Sequence, residues 1–323
     1  MTNELAWYKL LNVKGLGAKS LLLLYRAIKD NSIQVADIFS MDQDHFYRVF
    51  TEFGKGRFSR LKYENFKEID EDYIFDSFNK LQENGITILA LNDERYPESL
   101  KKNLKAEAPP ILFCTGYLPL LKTNNVSIVG SRSIDELSMI LTRNLAGDLA
   151  NNGYNVVSGY AKGVDTNAHL GALEAKGTTT VVLSLGVNHL SVKNDFKNHN
   201  WEQNTLFISQ FLPFEKWSAR NAMTRNKVVC GLSKAVIVMA SGPERDEKGR
   251  MSGTFAAGKS ALEMDIPVFV LSPTAMQNPP TGNGALIKLG GIEFKEGKEV
   301  LECLQDETRL KRNQKGVQMT MFK

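Results

Sequence analysis

The chain has 323 residues, room for two domains of ordinary size. Its 42% hydrophobic and 24% charged residues are those of a globular protein and exclude wholesale disorder. The 40 Lys and Arg against 36 Asp and Glu leave a formal charge of +4, so a polyanion site must come from local clustering rather than bulk charge.

Residues 1–84 contain no proline and read as a small all-helical domain. Leu21, Leu24, Tyr25 and Ile28, then Phe75, Phe78 and Leu81, recur at helical spacing. Within it, Val13-Lys14-Gly15-Leu16-Gly17-Ala18-Lys19 fits the hairpin of a helix-hairpin-helix element, which aims backbone amides at a DNA phosphate while Lys14 and Lys19 add charge. The same residues also fit a plain helix-helix turn with a glycine cap. No apolar run reaches the ~18 residues of a membrane span, and MTNELAWYKLL lacks a signal-peptide layout, so a cytoplasmic protein without a membrane partner is expected.

From Gly85 the texture changes. Short β-branched runs at Val126–Val129, Asn155–Val157, Thr179–Leu183, Leu206–Ile208, Ala235–Val238 and Val268–Val270 alternate with stretches long enough for a crossover helix. The alternation predicts an α/β domain over 85–300 built on a mostly parallel sheet with helices on both faces. Ile86–Leu91 and Ile111–Cys114 are expected to add strands to one edge. Past about Val300 the sequence turns polar, and 301–323 reads as a flexible tail. Cys114, Cys230 and Cys303 are far apart and lack metal spacing, so free thiols, no metal and no cofactor are expected.

In open parallel sheets, ligands sit beyond the carboxyl ends of the strands. There the chain places Gly130-Ser131-Arg132-Ser133, then Ser158-Gly159-Tyr160-Ala161-Lys162-Gly163, then Ser184-Leu185-Gly186. Arg225-Asn226-Lys227 precedes the fifth strand, and a loop with Arg245, Lys248 and Arg250 follows it, ending in Ser252-Gly253-Thr254. Small residues let backbone N–H groups approach an anion, and the cations supply fixed charge, so the repetition points to phosphate binding. Neither a GxGxxG fingerprint nor a GxxxxGK[ST] loop is present, which disfavours dinucleotide cofactors and P-loop ATPases. Asp165 and His169 share a helix face at i, i+4, with His169 read as structural. No nucleophile–base–orienter set emerges, so the chain reads as a binding protein rather than an enzyme.

The ordered runs NDERYPESLKKNLKAEAPPILFCTG, SIVGSRSID, NNGYNVVSGYAKGVDTNAHLGAL, TTTVVLSLGV, RNKVVCGLSKAVIVMA, SGTFAAGKSALEMDIPVFVLSP and GNGALIKLGG resemble the DprA/Smf family of DNA-processing proteins. The resemblance implies an extended Rossmann-like domain preceded by a small helix-hairpin-helix or SAM-like domain. It implies single-stranded DNA binding, homodimers, and a role in protecting DNA and loading a RecA-type recombinase in transformation or recombination. Carried over by position, Gly130, Ser131 and Arg132 match the GSR pocket. Ser158, Gly159, Lys162 and Gly163 fall in the SGxAxGxD loop, and Arg225 with Asn226 match the RN pair. Lys227 and Gly253 join this set from the reading of the loops, and Tyr160 or Trp217 could stack on a base.

The sequence departs from the family at Ala222-Met223 in place of Phe-Pro, Lys227 in place of Arg, Ser209-Gln210 in place of Ser-Glu, and Leu271-Ser272-Pro273 in place of Val-Pro-Gly. The tail reads as too short for the winged helix that some members carry. The rival reading is a small-nucleotide sensor or a phosphoribohydrolase-like enzyme, suggested by Ser252-Gly253-Thr254. Such a hydrolase needs a carboxylate just after the turn, where Phe255, Ala256 and Ala257 stand instead. Finally, Gln318-Met319-Thr320-Met321-Phe322 resembles a sliding-clamp docking peptide, with Gln318, Met321 and Phe322 as its contact residues.

Overall fold

The computed structural model describes residues 1–306, so Gln318, Met321 and Phe322 lie outside the described residues. Two compact units divide the chain: Met1–Tyr96 with Pro109–Thr115, and Pro97–Ala108 with the chain from Gly116.

The first unit is helical: α1 (Asn3–Leu11), α2 (Ala18–Asp30), α3 (Gln43–Val49) and α4 (Glu71–Glu83). Thr2, Asp42 and Asp70 begin α1, α3 and α4, their side-chain oxygens accepting first-turn N–H groups that have no partner inside the helix. Phe46, Phe50, Phe53, Phe58 and Phe66 are all buried, with ring pairs such as Phe46–Phe66 at 4.8 Å and Phe46–Phe50 at 4.9 Å. This aromatic core carries the unit between α3 and α4, where regular helix is sparse. A tight turn joins α1 to α2, with Gly15 left-handed at φ +85°. Two of its amides are already used, however: Leu16 N–H donates to Val13 O and Gly17 N–H to Ser20 Oγ. The unit extends past the expected boundary at 84 to include β1 (Thr87–Ala90), paired antiparallel with β2 (Ile111–Gly116) of which it holds all but Gly116, Ala90 standing opposite Ile111.

The second unit is the Rossmann-like one. Its strands are β3 (Asn125–Gly130), β4 (Asn155–Ser158), β5 (Thr179–Val182), β6 (Thr205–Ser209), β7 (Val236–Ala240), β8 (Val268–Leu271) and β9 (Ile292–Phe294). Their order is β6-β5-β4-β3-β7-β8-β9, every neighbouring pair parallel. Strands buried on both faces explain the unbroken β-branched runs of the sequence. The helices of this unit are α5 (Glu98–Leu104), α6 (Glu136–Asn151), α7 (Val164–Glu174), the short α8 (Asn194–Lys197) and α9 (Trp201–Asn204), α10 (Ala219–Gly231), α11 (Gly253–Glu263), α12 (Thr281–Lys288) and α13 (Gly297–Gln305).

The chain builds outward from β3 to β6, then returns through α10 to β7 on the other side of β3. The switch point therefore lies between the carboxyl ends of β3 and β7, where such sheets open a crevice. The ladder register shifts between Val129 and Gly130, so the loop after β3 leaves the sheet at an irregularity. Beside it, buried Asn283 accepts from Ser241 N–H and donates to Met239 O and Leu271 O, tying the ends of β7 and β8. Two boundaries differ from expectation. β9 was not anticipated, and α13 runs to Gln305 with Val300, Cys303 and Leu304 buried, so residues 301–305 belong to the core rather than to a tail.

Candidate functional site

Two glycine loops are pressed together at the switch point. Val164 packs where a Cβ on Gly130 would stand, and a Cβ on Gly163, which has φ +76°, would strike the carbonyls of Ser131 and Arg132. Across this contact Val164 N–H donates to Ser131 O at 3.1 Å, while Ser131 N–H donates to Ala240 O at 2.8 Å. The Ser131 hydroxyl donates to Ser133 O and accepts from Ser133 N–H. Ser131 therefore shapes the loop with its amide and hydroxyl while lining the larger cleft. The loop leaves Arg132 exposed. The start of α6 is likewise taken: the Asp135 carboxylate accepts from Ser138 N–H at 2.7 Å, and this hydrogen bond holds its pKa below the ordinary value.

Arg225 lies beneath these loops and is only 4% exposed. Its guanidinium occupies the space where a Cβ on Gly159 would be, which is why that position is glycine. Arg225 Nη1 sits 3.8 Å from Asp165 Oδ2, beyond hydrogen-bond length, and among the described residues Arg225 Nε has no hydrogen-bond partner. Burial pushes the Asp165 carboxyl above its usual range, against the pull of Arg225 and of the Ala161 N–H that it accepts. Burial pushes the Arg225 guanidinium down, with Asp165 pulling it back up. A buried cation with an idle donor and one distant counter-charge is costly on its own and gains from an anion.

Arg225 reaches two adjoining clefts. The larger, about 640 Å³, is lined by Gly130, Ser131, Arg132, Asp165, Asn226 and Gly253 among others. The smaller, about 310 Å³, is lined by Gly159, Tyr160, Lys162, Ser184 and Leu185. Arg132, Ala161, Trp217 and Arg225 border both. Trp217 is 51% exposed, with the Arg132 guanidinium carbon 6.0 Å from its ring centroid, so it stands on the rim and outside the core. The first turn of α11 opens onto the larger cleft at Gly253 and Thr254, with Ser252 accepting Phe255 N–H as its cap. Asn226 steadies that turn by donating to Gly253 O at 3.0 Å.

The remaining expected residues divide between the clefts and other places. Ser158 is fully buried and donates to Ile128 O at 2.6 Å, so it braces β4 against β3. Lys227 lines neither cleft and pairs with Glu107 at 2.6 Å. Of the cations in the loop after β7, Arg250 lines the larger cleft while Arg245 and Lys248 do not. Tyr160 holds φ +63°, costly for a bulky side chain, and is committed to structure. Its hydroxyl donates to Ser191 O and accepts from Lys193 N–H, and Lys193 Nζ lies 4.3 Å from its ring centroid. That removes Tyr160 as a stacking surface and leaves Trp217.

Lys193, which the sequence reading missed, also donates through Nζ to Tyr160 O at 2.9 Å and Thr166 Oγ1 at 2.7 Å. It has no motif around it, only a position eleven residues beyond the end of β5. Burial lowers its pKa from the ordinary lysine value. His169 is buried as expected, with Nδ1 2.6 Å from Thr179 Oγ1. The three cysteines are buried, and no metal-binding cluster occurs among the described residues.

A family model described as DNA recombination-mediator protein A matches residues 87–305. The chain is 32% identical over 221 residues to protein Smf of Escherichia coli, a match covering 68% of this chain and 56% of Smf; it thus spans little more than half of that relative. It is 29% identical to the DNA processing protein DprA of Streptococcus pneumoniae over 74% of this chain and 79% of that one. The X-ray structure of S. pneumoniae DprA superposes with a TM-score of 0.75 at 25% identity, covering 94% of this chain and 98% of that one. A structure of Helicobacter pylori DNA processing protein A, described for its single-stranded DNA binding mode, gives a TM-score of 0.55 at 27% identity, covering 68% of this chain and 95% of that one.

Proposed function

This chain belongs to the DNA recombination-mediator protein A family, and from that membership we propose that it captures single-stranded DNA in the paired clefts at the switch point of its parallel sheet. The observation that carries the reading is Arg225, buried at the junction of both clefts with its Nε unpaired and its counter-charge 3.8 Å away. A phosphate oxygen there completes the hydrogen bonding of a group already withdrawn from water. Arg132 and Lys162, both exposed, take neighbouring phosphates, and the α11 amides near Gly253 add donors. Trp217 on the rim offers a face to a base regardless of sequence. We read the chain as a binding protein: Asp165, the carboxylate that lines the larger cleft, lies opposite Arg225 and is raised in pKa by burial.

In this reading the protein protects single-stranded DNA and loads a RecA-type recombinase in the cytoplasm, working as a homodimer. Light scattering at micromolar concentration tests the last point; a monomer mass with DNA binding intact contradicts it. Gln318, Met321 and Phe322 form a docking peptide for a sliding clamp. The central test is a gel shift with single-stranded, duplex and mononucleotide ligands over a salt series. Single strand is expected to bind most tightly, with log K falling against log salt at a slope of roughly −2 for three neutralised phosphates. A flat salt response, or tighter binding to duplex or mononucleotide than to single strand, would overturn it.

A further inference from the structure

The helical unit carries a concentration of charge of its own. Between residues 55 and 62 the sequence KGRFSRLK places Lys55, Arg57, Arg60 and Lys62 within eight residues and without one carboxylate. All four side chains are exposed, and among the described residues none is paired with an acid. The segment is held in a defined shape. Gly54 and Gly56 turn left-handed at φ +77° and +48°. Gly54 N–H donates to Phe58 O, Phe58 N–H to Lys55 O and Leu61 N–H to Phe58 O. Phe58 and Leu61 point inward and are buried, Phe58 lying 6.1 Å from the Phe53 ring, while the Arg57 guanidinium rests 4.8 Å from the Phe58 centroid.

Four exposed cations within eight residues, none paired with an acid among the described residues, repel one another, and a polyanion relieves that repulsion. Two anionic partners differ in what else they need. Single strands are gripped through aromatic faces as well as charge, and the aromatic ring of this loop is buried. A duplex backbone needs only positive charge at phosphate spacing. We propose that the loop from Lys55 to Lys62 is a second, sequence-independent contact surface for the phosphate backbone of duplex DNA, separate from the single-strand clefts.

The test uses the full chain carrying Lys55→Ala, Arg57→Ala, Arg60→Ala and Lys62→Ala together, beside Arg225→Met and the unaltered protein. Labelled blunt duplex and oligo-dT are the probes, each over a salt series. The fourfold variant is expected to lose at least ~10-fold in duplex affinity, with the log–log salt slope shallower by about 3.6, near 0.9 per lost phosphate contact. Its oligo-dT affinity should move less than ~2-fold, while Arg225→Met weakens oligo-dT and spares the duplex. A charge-keeping variant, Arg57→Lys with Arg60→Lys, should retain duplex binding, and circular dichroism with thermal melting checks the fold of each. Duplex affinity unchanged in the fourfold variant, no duplex retention by the unaltered protein at low salt, or an equal loss on oligo-dT would each overturn the proposal. Loss of oligo-dT binding by the unaltered protein alone would strike the single-strand reading instead.

Discussion

Arg225 Nη1 lies 3.8 Å from Asp165 Oδ2, with the two side chains 5% and 9% exposed. At that separation the pair shares a field without closing a hydrogen bond, so the guanidinium is compensated and still available.

The two partners therefore respond in opposite directions. Arg225→Met leaves a buried carboxylate without its counter-charge and is expected to cost ~3 kcal/mol at pH 7 in urea unfolding, together with most single-strand affinity. Asp165→Asn keeps an acceptor for Ala161 N–H and removes the charge competing for Arg225, so DNA binding should tighten severalfold. Fluorescence anisotropy reads both. Equal weakening by the two substitutions would mean that the pair serves the fold alone.

Among exposed groups, position relative to the clefts decides the outcome. Arg132→Ala should weaken binding uniformly across sequences and make the single-strand salt slope shallower by about 0.7. Lys227→Ala, whose parent side chain is engaged with Glu107 away from both clefts, should leave slope and affinity unchanged. Trp217→Ala should cost about 1–3 kcal/mol with the slope intact, since stacking carries no counterion. Isothermal titration at three salt concentrations separates the three.

Acid should destabilise the fold through His169. Burial pushes this imidazole down to about 3, the nearby cations Lys193 and Arg225 reinforcing the shift. The unfolded chain takes up a proton near pH 6.5 while the native state stays neutral, so the contribution is present above that pH and is lost as pH falls toward 3. Urea unfolding should lose up to ~1.4 kcal/mol per pH unit between roughly pH 6 and 4 from this residue. His169→Gln should be less stable at pH 7 and should shed that part of the slope. An unaltered slope assigns the acid sensitivity elsewhere.

The terminal peptide can be tested apart from the folded units. A synthetic Lys311–Lys323 should bind the host's sliding clamp in calorimetric titration. The same peptide with Gln318→Ala and Phe322→Ala should not. An equal response from both, or none from either, removes the tail from the list of partner sites.

The parallel sheet was legible because its strands are buried on both faces and must be β-branched and apolar along their whole length. β9 escaped because Ile292–Phe294 is a three-residue edge strand with Glu293 exposed in its middle, too short to show a pattern. The loops at the strand ends were legible by their small residues and cations, but sequence could not say which hydroxyls and amides the loops consume themselves. Ser131 and Ser158 are spent on the neighbouring backbone. Arg225 and Lys227 are two residues apart on α10, 100° per residue turning one into the clefts and the other toward Glu107. Trp217 was ambiguous because an indole serves a core or a rim equally well, and only burial decides.

The missing Cβ of Gly159 binds the fate of two positions 66 residues apart. In any lineage descended from this sequence, alanine at 159 forces the Arg225 guanidinium out of its present place, so drift at either site is coupled to the other. Mutational scans should show it as epistasis: Gly159→Ala is deleterious beside Arg225, and much of that penalty disappears once residue 225 has been shortened.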